Sequence, residues 1–586
     1  MRTYQGIAVS GGVVIGEAMI IDNGRCRINR RSIVDKEVSS EIFRLSEAID
    51  TAAAQIARNR DSVAKELGDE YGHIFSAHLQ ILSDAKLKRE LEEHIRKDLF
   101  SAEFAVAVTF DRHAAMLQKI GGNGISERAN DITDIENRLL RLLMGIRRES
   151  IAELSHPVVI LSSNLTPSET ANLDRDNVLA FATEEGGRGS HTAIVASAMQ
   201  IPAVLGLGEF LRNVDDGDLV IIDGRDGLLI VEPDLETTQK YEDQIKKDKT
   251  LSDRLNNLTD EPAITKDQVE IEVYGNIEFP YEAKICREKG AAGIGLYRTE
   301  FLYLALNPED LPSEDVHFEA YKQAVEAMQG RVTTIRTFDL GADKLPGFSL
   351  TDQVERNPFM GVRSIRLSLR NTGMFRKQLR AILRASAYGK LRVMFPLVST
   401  IMEFRQAKMI FSDVCEELYE EGVPFDDSIP LGIMVEVPAT VIMLETFGQE
   451  VDFFSIGTND LVQYTLAVDR SNKEVGRLYN SEDPALIRLV RRAIDVAAFY
   501  SKPISLCGQM SSDPIDTMLL LGLGLRHFSV SPSAIPEIKE LCRQVTIKEC
   551  REIVQRVMFM ETARDIRNYL KRETENRIGS LSTLNR

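Results

Sequence analysis

The sequence predicts a multidomain α/β protein in which an α-helical segment is inserted into a small α/β domain, with a (β/α)8 barrel completing the C-terminal half. Three observations predict this. Ile33–Ile146 contains no proline and carries apolar residues at three- and four-residue spacing, the period of amphipathic helices. Short strand patterns rich in glycine stand on both sides of that block, so the helices interrupt one domain, and such insertions are tolerated where two chain ends lie close together. Beyond the middle of the chain, eight short apolar runs alternate with helical stretches over a span close to the ~250 residues of a (β/α)8 barrel. A chain of 586 residues is also too long for one hydrophobic core.

In chain order, Tyr4–Ile21 reads as a pair of small strands. Glu41–Arg58, Glu66–Leu82, Ala85–Leu99, Ala102–Ile120 and Asp131–Met144 read as helices. Strand, turn and helix units resume at His156-Pro-Val-Val-Ile-Leu and continue to Ile230-Val-Glu-Pro. Leu235–Leu258 is rich in charge and free of Gly and Pro, the pattern of a solvated connecting helix. The eight barrel strands are expected at Val269–Asn276, Gly293–Arg298, Val332–Leu340, Leu391–Val398, Leu431–Val437, Asp452–Ile456, Ile504–Gly508 and Phe528–Val530. The domains are accordingly 1–22 with 148–233, then 23–147, a linker at 234–260, and 261–586.

Within the small domain, Thr183-Glu-Glu-Gly-Gly-Arg-Gly-Ser-His191 places one histidine where the strand Val178–Ala182 turns into a helix over Thr192–Met199, with Ser190 as its N-cap. The unpaired N–H groups and the dipole of a helix start favour an anion. Gly186, Gly187 and Gly189 let the backbone approach phosphate oxygens with no Cβ in the way, and Arg188 adds a cation. His191 therefore reads as a phosphate carrier; a tight glycine turn with an incidental histidine is the alternative that the motif alone leaves open.

In the barrel, Arg298, Arg336, Glu436, Asn459, Asp460 and Cys507 fall near the C-terminal ends of the expected strands, where barrels of this type build their active sites. Glu436 and Asp460 lie about one strand apart and come without a histidine or cysteine ligand set. That suits Mg2+, which prefers oxygen and is held by one or two carboxylates with substrate phosphate.

Composition excludes other classes. Hydrophobic residues make up 43% and charged ones 27%, no apolar run is long enough to span a bilayer, and the N-terminus lacks the apolar core of a signal peptide. The expectation is a cytoplasmic protein without membrane insertion. The net charge of −18 argues against nucleic-acid binding and favours a basic protein partner. The six scattered cysteines have no zinc spacing.

The first half contains Gly6-Ile-Ala-Val-Ser10, Leu165-Thr-Pro-Ser-Glu-Thr170 and Gly186-Gly-Arg-Gly-Ser-His191. The second contains Gly293-Ile-Gly-Leu-Tyr-Arg-Thr-Glu-Phe301, Ile335-Arg-Thr-Phe-Asp-Leu-Gly341, Asn357-Pro-Phe-Met-Gly-Val-Arg363, Glu436-Val-Pro438, Ser455-Ile-Gly-Thr-Asn-Asp-Leu461 and Cys507-Gly508. By these motifs, in this order, the chain resembles over nearly its whole length the Enzyme I family of the bacterial phosphotransferase system, the phosphoenolpyruvate–protein phosphotransferases.

The resemblance implies that the small domain swivels and carries phosphohistidine at His191, with Arg128, Thr170, Gly187, Arg188 and Ser190 around it. It implies that the helical insertion docks HPr, the small histidine-containing phosphocarrier, and that the barrel binds phosphoenolpyruvate and forms a homodimer. Arg298, Arg336, Lys344, Asn357, Arg363, Asn459, Asp460 and Arg470 would bind the substrate's phosphate and carboxylate, Glu436 and Asp460 the magnesium. Cys507 would protonate the enolate; by composition alone a cysteine there is a small buried hydrophobe. His73 and His78 read as surface or packing residues.

Three positions depart from the family pattern: Gly189, Gln509, and the acidic Ser481-Glu-Asp483. Two rivals remain. Phosphoenolpyruvate synthase and pyruvate phosphate dikinase share the phosphohistidine and barrel modules but need a nucleotide-grasp domain, for which Ile33–Ile146 is too short and too helical. A catalytically silent docking protein would have no use for His191, Glu436, Asp460 and Cys507 together.

Overall fold

The computed structural model describes residues 1–21, 32–67, 78–120, 125–144, 156–165, 177–186, 201–256, 259, 261–304, 311–341, 357–469, 472 and 474–578. They form two compact units, Met1–Asp248 and Lys249–Arg586.

The first unit carries one eight-stranded sheet. Its strands are β1 (Arg2–Gln5), β2 (Ile7–Ser10), β3 (Val13–Ile21), β4 (Val158–Ser162), β5 (Val178–Thr183), β6 (Ala203–Leu205), β7 (Leu219–Asp223) and β8 (Leu228–Val231). The spatial order is β1-β8-β7-β3-β4-β5-β6-β2. Strands from before and after the helical block thus share one sheet, and β3 pairs in parallel with β4 across the insertion. The N-terminal flank forms three strands rather than a pair, because glycines at 6, 11 and 12 divide a run that the apolar pattern alone joins. Val159, Leu161, Ala180, Ala182, Val220 and Ile222 pack one face of this sheet into a continuous core.

The inserted helices are α1 (Val38–Leu67), α2 (Ala85–Lys97), α3 (Ala102–Ile120) and α4 (Ile125–Met144). Their apolar stripes meet at Leu45, Ile56, Leu91, Val106 and Leu139, all but withdrawn from solvent. Buried Glu41 satisfies the start of α3 by accepting the Ala102 N–H at 2.9 Å, while Arg44 joins Glu41 to Glu103 at 2.6 and 2.5 Å. His78 is fully buried, a packing position as expected; His73 lies outside the described residues. The charged linker is a helix, α5 (Leu235–Asn256), opened by Asp234 accepting the Thr237 N–H at 2.8 Å.

In the second unit, β10 (Glu270–Ile277), β11 (Gly293–Tyr297), β12 (Val332–Arg336), β13 (Leu391–Phe395), β14 (Leu431–Val435), β15 (Phe453–Ile456), β16 (Ile504–Leu506) and β17 (His527–Val530) follow the short β9 (Ala263–Ile264). From β10 to β17 every neighbouring pair is parallel, and β10 bonds both β11 and β17, which closes the barrel. All eight expected strands are present. Several are shorter at the C-terminal end than their apolar runs, because Phe338, Val398 and Val437 lie past the last ladder pairing; Phe338 and Val398 stay fully buried. Among the described residues no helix is long and apolar enough to cross a membrane.

Candidate active site

The C-terminal ends of β10 to β16 converge on one cluster of charge. Arg336 is the last residue of β12, Glu436 follows β14 directly, and Cys507 follows β16 directly. Asn459 and Asp460 open the helix Thr458–Leu466 after β15. The strands below supply an apolar floor, where Leu296, Met394, Met434, Phe453 and Cys507 pack together.

On that floor the carboxylates Asp339, Glu436 and Asp460 each bring an oxygen within 4.8 Å of the others. Arg336 holds Asp339 at 2.6 Å and Glu300 at 3.0 Å. Arg363 spans Asp339 at 3.2 Å and Asp460 at 3.3 Å. Four carboxylates face two guanidiniums, so with all of them ionised the cluster would carry excess negative charge that a divalent cation would balance. Burial pushes Glu436 well above the ordinary carboxylate range, and the neighbouring Asp339 and Asp460 push it further. Asp339 is also buried, yet Arg336 and Arg363 hold it below its usual value. The charged form of Glu436 is thus opposed on balance, although Arg336 and a backbone donor pull the other way. Its backbone partner is the Leu397 N–H, donated at 2.6 Å.

That donor is aimed by an unusual backbone. Leu397 has φ +51°, and Ser364, whose hydroxyl donates to Asp339, has φ +53°. Left-handed conformations in such residues cost of order 1–3 kcal/mol and gather where a site dictates them. Close approach is dictated too at Gly457, where a Cβ would stand 2.8 Å from Glu436 Oε2.

Cys507 is 3% exposed. Its sulfur accepts from the Ser455 hydroxyl at 3.4 Å and faces the Ile456 carbonyl at 3.5 Å. Burial raises the thiol's pKa above the ordinary value, against the pull of the Ser455 hydrogen bond and of Arg336. The group is thus a protonated thiol beside the arginine–carboxylate cluster. Asn459 is oriented by accepting the Gln509 N–H on its side-chain oxygen at 3.0 Å. Arg298 pairs with Glu278 at 2.5 Å on the rim, and Asn357 is exposed at the start of the turn Pro358–Met360.

The structure thus brings Arg336, Arg363, Glu436, Asp460 and Cys507 to one end of the barrel. Lys344 and Arg470 lie outside the described residues. So do Thr170, Gly187, Arg188, Ser190 and His191; Arg128 lies in α4, its side chain outside the description. Beyond the end of β5 at Thr183, the described part of this loop runs to Gly186, whose φ is +120°. Sequence reasoning missed Asp339, Glu300 and Asn276. The first two stand inside motifs quoted above; their role shows only in their pairing with Arg336. Asn276 ties the Cys507 carbonyl to that of Ser529 at 3.1 and 3.0 Å, a link between neighbouring strands β10, β17 and β16 with no local signal.

Three family models match the chain: the N-terminal domain of phosphoenolpyruvate-utilising enzymes over residues 5–128, their mobile domain over 154–227, and their phosphoenolpyruvate-binding domain over 252–547. A phosphoenolpyruvate-protein phosphotransferase of Geobacillus stearothermophilus is 40% identical over 97% of this chain and 98% of its own length. One from Bacillus subtilis (strain 168) is 38% identical over 97% and 99%. One from Haemophilus influenzae is 38% identical over 96% and 97%.

Proposed function

The chain belongs to the phosphoenolpyruvate-protein phosphotransferases, within the phosphoenolpyruvate-utilising enzymes, and from that premise we propose how its residues divide the reaction. Phosphoenolpyruvate binds at the C-terminal end of the barrel, its anionic groups met by Arg298, Arg336, Arg363 and Arg470, with Lys344, Asn357 and Asn459 as further polar contacts; guanidinium forks suit both phosphate and carboxylate. The observation that carries this reading is the buried Arg336–Asp339–Arg363–Asp460 network beside Glu436 and Cys507.

A nitrogen of His191 attacks the phosphorus, the bond from phosphorus to the enol oxygen breaks, and its electron pair passes to enolpyruvate. Cys507 gives its proton to the enolate carbon, yielding pyruvate. Phosphohistidine then passes the phosphoryl group to a histidine of HPr, docked on α1 to α4. Covalent catalysis splits one transfer into two easier ones. Around His191, Arg128, Thr170, Gly187, Arg188 and Ser190 would hold the imidazole and its phosphate.

Magnesium fits the cluster: Asp339, Glu436 and Asp460 offer only oxygen, and a cation beside buried Glu436 would favour the charged form that burial and the neighbouring carboxylates oppose. Glu436 and Asp460 would hold the ion, which when bound neutralises phosphate charge. The reading places the enzyme in the cytoplasm, acting at the head of the sugar phosphotransferase relay, as a homodimer through its barrel.

The test is labelling by phosphoenolpyruvate. His191→Ala abolishes incorporation of the phosphoryl group in the full chain; label persisting on another histidine overturns the assignment.

A further inference from the structure

A second group of carboxylates lies away from the cluster described above. Glu482 comes from the connection between the helix Thr458–Leu466 and the helix Pro484–Phe499; Asp513 and Asp516 come from the start of the helix Pro514–Leu523 that follows β16. One oxygen from each lies within 4.8 Å of the others. Glu482 is 2% exposed and Asp516 fully buried.

An acidic cluster alone has no meaning, and two of these groups have protein partners. Arg567 pairs with Glu482 and, at 3.2 Å, with Asp513. Asp513 caps its helix by accepting the Ile515 N–H at 3.0 Å, and the Ser481 hydroxyl donates to Glu482 at 3.2 Å. Asp516 is different. Both its oxygens are buried and neither has a hydrogen-bond partner. A carboxylate so placed is costly unless something meets it. It stands at the third position of its helix, where an acidic side chain commonly reaches back to the cap N–H, yet the oxygens face Glu482 and Asp513 instead. With all three charged, the carboxylates would face the one guanidinium of Arg567 with two negative charges in excess, and burial and the neighbouring Glu482 and Asp513 oppose the charged form of Asp516.

We infer that Glu482, Asp513 and Asp516 form a divalent-cation site separate from Asp339, Glu436 and Asp460, taking an ion that prefers oxygen, such as Mn2+, Mg2+ or Ca2+. The ion would tie the connection after β15 to the helix after β16. It makes functional sense of the acidic Ser481-Glu-Asp483 segment, which the transfer reaction does not use.

The experiment measures Mn2+ binding by equilibrium dialysis on the full chain without phosphoenolpyruvate. Glu436→Gln disables the other carboxylate group. The Glu436→Gln chain is expected to retain one Mn2+ per chain, and adding Asp516→Asn, which preserves shape, weakens that binding by about tenfold or more. Mn2+ also raises the Tm of the Glu436→Gln chain but not of the double variant; Glu482→Gln repeats the test if Asp516→Asn fails to fold. Retention of Mn2+ affinity in both double variants overturns the site. So does the absence of binding to the Glu436→Gln chain up to about 10 mM, roughly tenfold beyond the ~1 mM weak end of protein sites for such ions, which would leave Asp516 as a buried protonated acid.

Discussion

At Cys507 packing and chemistry ask for the same thing. An apolar floor with one hydroxyl contact keeps the thiol protonated, and a protonated thiol is what an enolate needs from a general acid. The folded pKa lies above the ordinary value, so the contribution of the protonated form to stability is present below the unfolded value and is lost as pH rises through the folded one. The acid should therefore stay competent to higher pH than a free thiol near 8.5. Cys507→Ala is expected to slow methyl-proton exchange in pyruvate by about 10²-fold or more while changing stability by about 1 kcal/mol. An unchanged exchange rate would reassign the thiol to packing. Glu436 gives the complementary case. Glu436→Gln and Asp460→Asn should each lower phosphorylation by phosphoenolpyruvate at least about 10–100-fold, yet still accept phosphate from phosphorylated HPr. Because burial and the neighbouring carboxylates already oppose the charge of Glu436, the metal-free Glu436→Gln chain should melt no lower than the wild type. A fall in Tm matching the loss of activity would show a structural role instead.

At the scale of elements, the barrel strands were legible because each is a short apolar run between helical patterns, and one face of the helical block was legible from its period. Strand ends were not. An apolar run continues into the loop wherever the loop is also buried, as at Phe338 and Val398, and only ladder pairing marks where the strand stops. Carboxylates such as Asp339 and Glu300 were invisible as site residues for a related reason: a buried acid is defined by the guanidiniums that the fold brings to it, Arg336 and Arg363 for Asp339 and Arg336 of the adjacent strand for Glu300. Glycines can be judged only with the structure. Gly508 begins the turn after β16, and a Cβ there would lie 1.7 Å from Thr458 Oγ1 and 2.9 Å from the Thr458 backbone nitrogen. Gly508→Ala must push β16 and the helix Thr458–Leu466 apart. It should cost about 1–3 kcal/mol by overpacking, and it should also slow the reaction, since Cys507 and Asp460 flank the displaced contact. Wild-type melting and activity in Gly508→Ala would show that the turn relaxes freely.

At the scale of the molecule, the chemistry is divided between two units. The residues proposed to carry the phosphoryl group belong to Met1–Asp248, and the arginine–carboxylate cluster belongs to Lys249–Arg586. On the proposed assignment His191 meets phosphoenolpyruvate and HPr in turn, which requires the small domain to move between them. We propose a rigid-body swing about α5, expected on the microsecond-to-millisecond scale. Each unit has its own sheet and its own core, the condition for folding alone. A fragment ending near residue 258 should fold, exchange phosphate reversibly with phosphorylated HPr, and gain no label from phosphoenolpyruvate. The complementary barrel fragment should bind phosphoenolpyruvate without turning it over, and mixing the two should restore labelling only weakly, because the linker no longer supplies a high effective concentration. Direct labelling of the N-terminal fragment by phosphoenolpyruvate would show that the donor site is not in the barrel, and the division of labour between the two units would fall with it.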